Sequence, residues 1–137
     1  MDEKNLEPGM TGEAVVKVSE ENTAIKFGSG SVTVFATPAM IGLMEKAAIN
    51  AVDKSLPIGF ATVGTHLDIK HLAATPINMN VTAKAELIES SGNRLKFKVE
   101  AFDEVEKIGE GIHSRYIIQL ENFLERTNKK SEVLENK

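Results

Sequence analysis

The segment from Thr37 to Lys54 leaves this chain few folds to choose from. Between Ala39 and Val52 only Gly42, Glu45, Lys46 and Asn50 interrupt a run of alanine, methionine, leucine, isoleucine and valine. The spacing predicts a helix that is apolar on nearly every side, and such a helix needs other elements wrapped around it. Its start is marked as well: Thr37 is a suitable N-cap, and Pro38 suits the first helical position, where a missing N–H costs nothing.

One residue in the helix is out of place. The helical neighbours of Glu45 are Ile41, Gly42, Ala48 and Ile49, none able to pair a charge. Its carboxylate must find a polar partner on another element or take a raised pKa, and either outcome makes it a candidate functional group. The plainer alternative is that Glu45 and Lys46 share a narrow solvated edge beside Asp53.

A chain of 137 residues fits one domain with a single core, and 42% hydrophobic with 26% charged residues is a globular composition. The net charge of −4 gives no electrostatic support for nucleic-acid or anionic-membrane binding. Without cysteine there are no disulfides, thiolate nucleophiles or cysteine–metal sites, and three scattered histidines do not form a metal-binding spacing. No apolar run approaches the ~20 residues of a membrane span. The acidic start, Met1-Asp-Glu-Lys-Asn, has no signal-peptide core, so a cytoplasmic protein is expected.

Residues 1–10 read as a polar lead-in, 11–120 as the folded domain and 121–137 as a polar tail that begins with a helical turn through Phe123 and Leu124 and then frays. Strands are expected over Gly12–Val18, Thr23–Phe27 and, more briefly, Ser31–Phe35, with Ser19–Asn22 as a turn. Gly28-Ser29-Gly30-Ser31 is a loop or a mobile cover over a site. It lacks the strand-to-helix context and the lysine of a phosphate-binding loop. Beyond the helix, alternation predicts long strands over Ala61–Leu72, Asn78–Glu89, Arg94–Asp103 and Ile108–Leu120, with a hairpin turn at Ser90–Asn93. Short connections make the last three antiparallel neighbours.

Alternation also separates two histidines. Val63, Thr65, Leu67, Ile69 and His71 share the apolar face of their strand, whereas Gly64, His66, Asp68 and Lys70 share the polar one. His71 is thus expected to point toward the core and His66 toward solvent. A core histidine that is simply hydrogen-bonded accounts for His71 taken alone.

One apolar helix with long antiparallel strands gives an α+β layout in which a twisted sheet wraps the helix. This order resembles the hotdog fold of acyl-CoA thioesterases, a curled antiparallel sheet around one long central helix, usually in homodimers. More closely, Phe35-Ala36-Thr37-Pro38-Ala39-Met40 with Glu45, followed by Val63-Gly64-Thr65-His66-Leu67 running to His71, is similar to the fluoroacetyl-CoA thioesterase-like family. The resemblance spans about residues 10 to 120. It implies a catalytic set of Thr37, Glu45 and His71, with substrate-side positions at Gly64, whose backbone N–H faces the acyl group, and Arg115. It implies an acyl-CoA substrate, no cofactor beyond the CoA of that substrate, no metal, and a homodimer. The namesake enzyme also carries phenylalanines ahead of the helix as a lid over its acyl pocket. Gly28-Ser29-Gly30-Ser31 stands there instead, so the resemblance implies the reaction type and leaves the acyl group open.

Each residue type suits thioester hydrolysis. Glu45 is a base for water or a direct nucleophile, His71 an orienting or proton-carrying group, and Thr37 a nucleophile or hydrogen-bond anchor. Gly64 lets a carbonyl approach a backbone N–H, and Arg115 is an ion-pair partner or a substrate contact. A non-catalytic acyl-CoA-binding module and a 3-hydroxyacyl thioester dehydratase are the alternatives.

Overall fold

The computed structural model describes residues 6–136. The first five residues, on which the absence of a signal core was read, lie outside the described residues. The central helix is where the pattern puts it: α2 runs Thr37–Val52, followed by one 3-10 turn at Asp53–Ser55. It buries Met40, Leu43, Met44, Ala47, Ala48 and Val52. Its remaining circumference is unevenly covered, with Gly42, Lys46 and Asn50 exposed and Ile41, Glu45 and Ile49 half-buried.

Five antiparallel strands cover the helix: β1 (Thr11–Lys17), β2 (Phe60–His71), β3 (Asn80–Ser91), β4 (Arg94–Phe102) and β5 (Lys107–Gln119). Their order across the sheet is β1-β3-β4-β5-β2. Alternation in β3 and β4 sends Val81, Ala83, Ala85 and Leu87, then Leu95, Phe97, Val99 and Ala101, into the core. Burying each large side chain contributes about 1.5–3 kcal/mol. The helix lies against β1 and β3 and only lightly reaches β2. Gly12 makes the β1 contact possible, because a Cβ there would collide with the Ala47 carbonyl and the Ala51 amide. The lead-in is part of this packing: Leu6 is buried, and Gly9 and Met10 exchange backbone hydrogen bonds with Leu87.

Three segments differ from the expectations. Thr23–Phe27 is not a strand; α1 (Ala24–Phe27) is a single helical turn. The Thr23 hydroxyl accepts from the Lys26 amide at its start, and Gly28 closes it with φ +75°. Caps at both ends outweigh the β-branched content between them. Thr37 is the first residue of α2 rather than its cap; Ala36 holds the cap position and no side chain caps the helix. The tail does not fray after one turn, since α3 is continuous over Leu120–Glu135, with none of its residues buried.

Candidate active site

Two strands set the geometry. β2 pairs with β5, and the register slips between Gly64 and His66, leaving Thr65 as the extra residue of a β-bulge. On the Phe60 side of the bulge, Gly64 lies opposite Arg115 and Thr62 opposite Ile117; past it, Leu67 lies opposite His113 and His71 opposite Gly109. The slip changes which residues face inward. Val63 and Thr65 do not share a face with Leu67 and His71 as strict alternation predicts. Gly64 and Thr62 face the helix instead, because the bulge adds one residue to the period of two. A Cβ built on Gly64 would lie 2.9 Å from Glu45 Oε2, 3.1 Å from His113 Cε1 and 3.4 Å from Arg115 Nη1. Gly64 is therefore the place where the backbone is laid open to the charged groups.

At the far end of β2, His71 turns inward as alternation predicts. Its Nδ1 lies 2.7 Å from Thr37 Oγ1, and its Nε2 is buried without a hydrogen-bond partner among the described residues. Burial holds the ring below its ordinary value near 6.5, with the Ala73 backbone acting in the opposite sense. A neutral imidazole with one idle, buried nitrogen is poised to bind or to exchange a proton with a group entering the site. Thr37 and His71 line a pocket of about 400 Å³ whose other walls include Ser29, Phe35, Leu72 and Ala73. Ser29 of the glycine–serine run thus borders the polar pair. A larger groove of about 600 Å³ lies near Thr65, His66, Arg94, Lys96 and Tyr116. Of these two, the smaller pocket holds the idle nitrogen.

Glu45 has the partner that its own helix denies it: Arg115 Nη1 lies 3.8 Å from its Oε2. The carboxylate is less deeply placed than the apolar helix suggests, with 37% of its side chain exposed against 5% for Arg115. Arg115 is rigidly held. Its Nε donates to Thr62 Oγ1 at 2.8 Å, Nη2 to the Thr62 carbonyl at 2.9 Å and Nη1 to His113 Nε2 at 3.0 Å. Burial lowers its pKa and the facing Glu45 raises it. Sequence reasoning did not single out His113, which is fully buried on the inner face of β5. A signal was available: His113, Arg115 and Ile117 recur at a spacing of two, so an inward Arg115 implies an inward His113.

The structure therefore joins Thr37 to His71, and Glu45 to Gly64, Arg115 and His113, but does not join the two groups within one chain. Thr37 and Glu45 are eight residues apart on α2, about 12 Å of rise. Gly64 and His71 are seven residues apart on β2, about 23 Å of strand. Among the described residues no cluster of histidine and carboxylate groups is arranged to hold a metal ion.

Comparison with known proteins gives the family and the fold. A sequence model of the fluoroacetyl-CoA-specific thioesterase family matches residues 18–121. The chain is 43% identical over 98 residues to a fluoroacetyl-CoA thioesterase of Streptantibioticus cattleyicolor, covering 72% of this chain and 70% of that protein. A solved structure of the fluoroacetyl-CoA thioesterase superposes with a TM-score of 0.87 at 34% identity, covering 92% of this chain and 98% of that one. A hot-dog-like protein from Thermanaerovibrio acidaminovorans superposes at 0.84 with 24% identity over 95% and 97% of the two chains, a likeness of fold alone. The fold is the hotdog fold, and the chain belongs to the fluoroacetyl-CoA-specific thioesterase family.

Proposed function

We propose that the protein is an acyl-CoA thioesterase that hydrolyses a small acyl-CoA thioester to the free acid and CoA, using Thr37, Glu45 and His71. The observation that carries this reading is the buried, unpartnered Nε2 of a neutral His71 whose Nδ1 is engaged by Thr37, at the wall of a pocket of ligand size. With the Thr37 hydroxyl donating to Nδ1, Nε2 carries the proton and donates to an incoming thioester. Glu45 removes a proton from water as the water oxygen bonds to the acyl carbon. The C–S bond then breaks, and the leaving thiolate takes the proton held by Glu45 and departs as CoA, which regenerates the carboxylate. Attack by Glu45 itself would instead give an anhydride that water cleaves. Single turnover in ¹⁸O-water tests the second route: label enters the Glu45 carboxylate only when an anhydride forms and water cleaves it at the Glu45 carbonyl. The Gly64 N–H serves as the oxyanion donor. Arg115, already tied to Thr62 and His113, holds Glu45 rather than CoA.

We place the complete site between two copies of the chain. β2 is an edge strand, its inner face is thinly covered by α2, and Leu67 and Leu72 are 44% and 50% exposed. A two-fold axis through Asp68 would pair β2 with its copy and, with Thr65 bulged out, set Gly64 opposite His71 of the second copy, so that each Glu45 group meets the other Thr37–His71 pair. The glycine–serine stretch at the lid position of the namesake brings Ser29 rather than an aromatic side chain to the pocket wall, which argues against selectivity for a fluoroacetyl group. No cofactor beyond the CoA of the substrate enters this scheme. A CoA thioester substrate also favours a cytoplasmic location.

A panel of short, branched and aromatic acyl-CoA thioesters with a free-thiol readout tests the function. Thiol release from at least one member is expected. Tight binding of every member without release would replace the enzyme by a binding module, and hydration of crotonyl-CoA would replace it by a dehydratase. Glu45→Ala should abolish hydrolysis with the fold intact, because the side chain is half-exposed and fills no core volume. Full turnover in that variant overturns the assignment.

A further inference from the structure

The imidazole of His113 lies beneath the bulge in the Glu45 group, is not itself one of the catalytic set Thr37, Glu45 and His71, and is fully buried. Its two nitrogens have different partners, and these fix its chemistry. Arg115 Nη1 can only donate, so Nε2, 3.0 Å away, must accept and carries no proton. Nδ1 lies 2.9 Å from the His66 carbonyl, which can only accept, so Nδ1 carries the proton. The ring is therefore neutral and in one tautomer. His66 is the residue at which β2 resumes its register after the bulge, and Thr65, the bulged residue, is tied to β5 by its hydroxyl on the Ser114 carbonyl at 3.2 Å.

We propose that His113 is a positioning residue: a single neutral imidazole, protonated at Nδ1, clamps the β2 bulge beside Gly64 to the Arg115 guanidinium and thereby fixes Glu45 against the Gly64 backbone. The surrounding groups fit this role. The His66 carbonyl meets the ring from β2, Glu45 acts on it from α2 and Arg115 from its own strand, with a weak charge influence from the exposed His66 side chain, while the Phe97 ring of β4 packs at 6.5 Å. Burial is the largest influence on the ring and lowers its pKa, and the Arg115 charge acts in the same sense. A second proton would turn an acceptor toward Arg115 into a donor and place two cations in contact. The clamp works only while the ring is neutral.

The role rests on the thioesterase reading, so the test has one readout that needs no turnover. Long-range ¹H–¹⁵N spectra of the wild-type protein at pH 7 should show a protonated Nδ1 and a bare Nε2 for His113. A proton on Nε2, or on both nitrogens, overturns the clamp whether or not the protein hydrolyses thioesters. The kinetic arm uses His113→Phe, which keeps the ring volume and loses both hydrogen bonds, and His113→Gln, which keeps an acceptor toward Arg115 and loses the donor to His66. Misplacing a reacting group by about 1 Å costs about 100-fold, so the phenylalanine variant should lose about that much kcat while KM changes by less than about 3-fold. The glutamine variant should fall between it and wild type. A folded phenylalanine variant with wild-type kcat, or a loss confined to KM, overturns the proposal. If that variant does not fold, the glutamine variant decides in its place: a lowered kcat at constant KM supports the clamp, and wild-type kcat overturns it.

Discussion

Adding one methyl group at Gly64 tests the geometry most directly, because the backbone there needs no unusual φ and only space is at stake. An alanine Cβ would lie 2.9 Å from Glu45 Oε2 and 3.1 Å from His113 Cε1, where ordinary contact begins near 3.4 Å. The carboxylate must then retreat by roughly 0.5 Å and the imidazole by roughly 0.3 Å, distances set by van der Waals contact. Glu45 can move, being half-exposed at the end of a flexible side chain; His113 cannot move without disturbing its bonds to His66 and Arg115. Overpacking costs about 1–3 kcal/mol, and the freedom of Glu45 puts Gly64→Ala near the lower end, a drop in Tm of about 4 °C. The effect on rate is larger. The Glu45–Arg115 separation of 3.8 Å is already at the limit of an ion pair, and a retreat of half an ångström opens it. With about 100-fold lost per 1 Å of misplacement, kcat should fall 10- to 100-fold. Initial rates of thiol release and a thermal melt on the same preparation measure both effects. A folded Gly64→Ala protein with unchanged kcat would show that neither Glu45 nor this stretch of backbone takes part in the reaction.

Two further outcomes follow from the other half of the site. Thr37→Val keeps the shape and removes the hydroxyl from His71 Nδ1. Because the hydroxyl caps nothing, Tm should stay within about 1 °C while kcat falls by at least about 100-fold, the lower end for a lost acid–base group; unchanged kcat would reduce the 2.7 Å contact to a structural one. The pH dependence follows from the two depressed histidines. His71 and His113 both bind protons less readily in the folded chain than in the unfolded one, chiefly through burial. The unfolded chain therefore takes up protons first as pH falls below about 6.5, so stability is full above that value and declines until the folded pKa values are passed. Turnover should hold over the first part of this decline, while His71 is still neutral, and then drop. Melts and rates measured in parallel check the order, and a Tm that rises on acidification would contradict it.

Much of this was legible because it is local. The apolar content of residues 39–52 defines α2, and the alternation in β3 and β4 defines two core-facing strands without knowledge of their partners. What the sequence hid depends on pairing. The bulge at Thr65 exists only relative to β5, so alternation placed Gly64 on the outer face when it belongs on the inner one. The same blindness left His113 unnoticed, since its importance comes from the His66 carbonyl and Arg115 rather than from neighbours in the chain. Thr23 was hidden for a different reason. Its hydroxyl and the left-handed Gly28 decide a four-residue turn that β propensity alone assigns to a strand.

The departures from local rules fall where the chemistry is proposed. A threonine beside Pro38 at the head of a helix has an obvious use as a cap, worth about 1 kcal/mol, yet its hydroxyl is spent on His71 and the cap position goes to Ala36, which has none to offer. A glycine within a long strand weakens it, yet Gly64 sits where any Cβ would displace Glu45. Either departure alone could be tolerated as noise, but each coincides with one half of the proposed site: Thr37 with the idle His71 nitrogen, Gly64 with the clamped Arg115 and Glu45. Natural sequences tend to break local consistency at functional positions and satisfy it elsewhere. On that reasoning Thr37→Ser, which keeps the hydroxyl, should leave turnover nearly intact, whereas Thr37→Val and Gly64→Ala should not. If all three behaved alike, the two local violations would carry no functional information and the site would have to be sought elsewhere on the sheet.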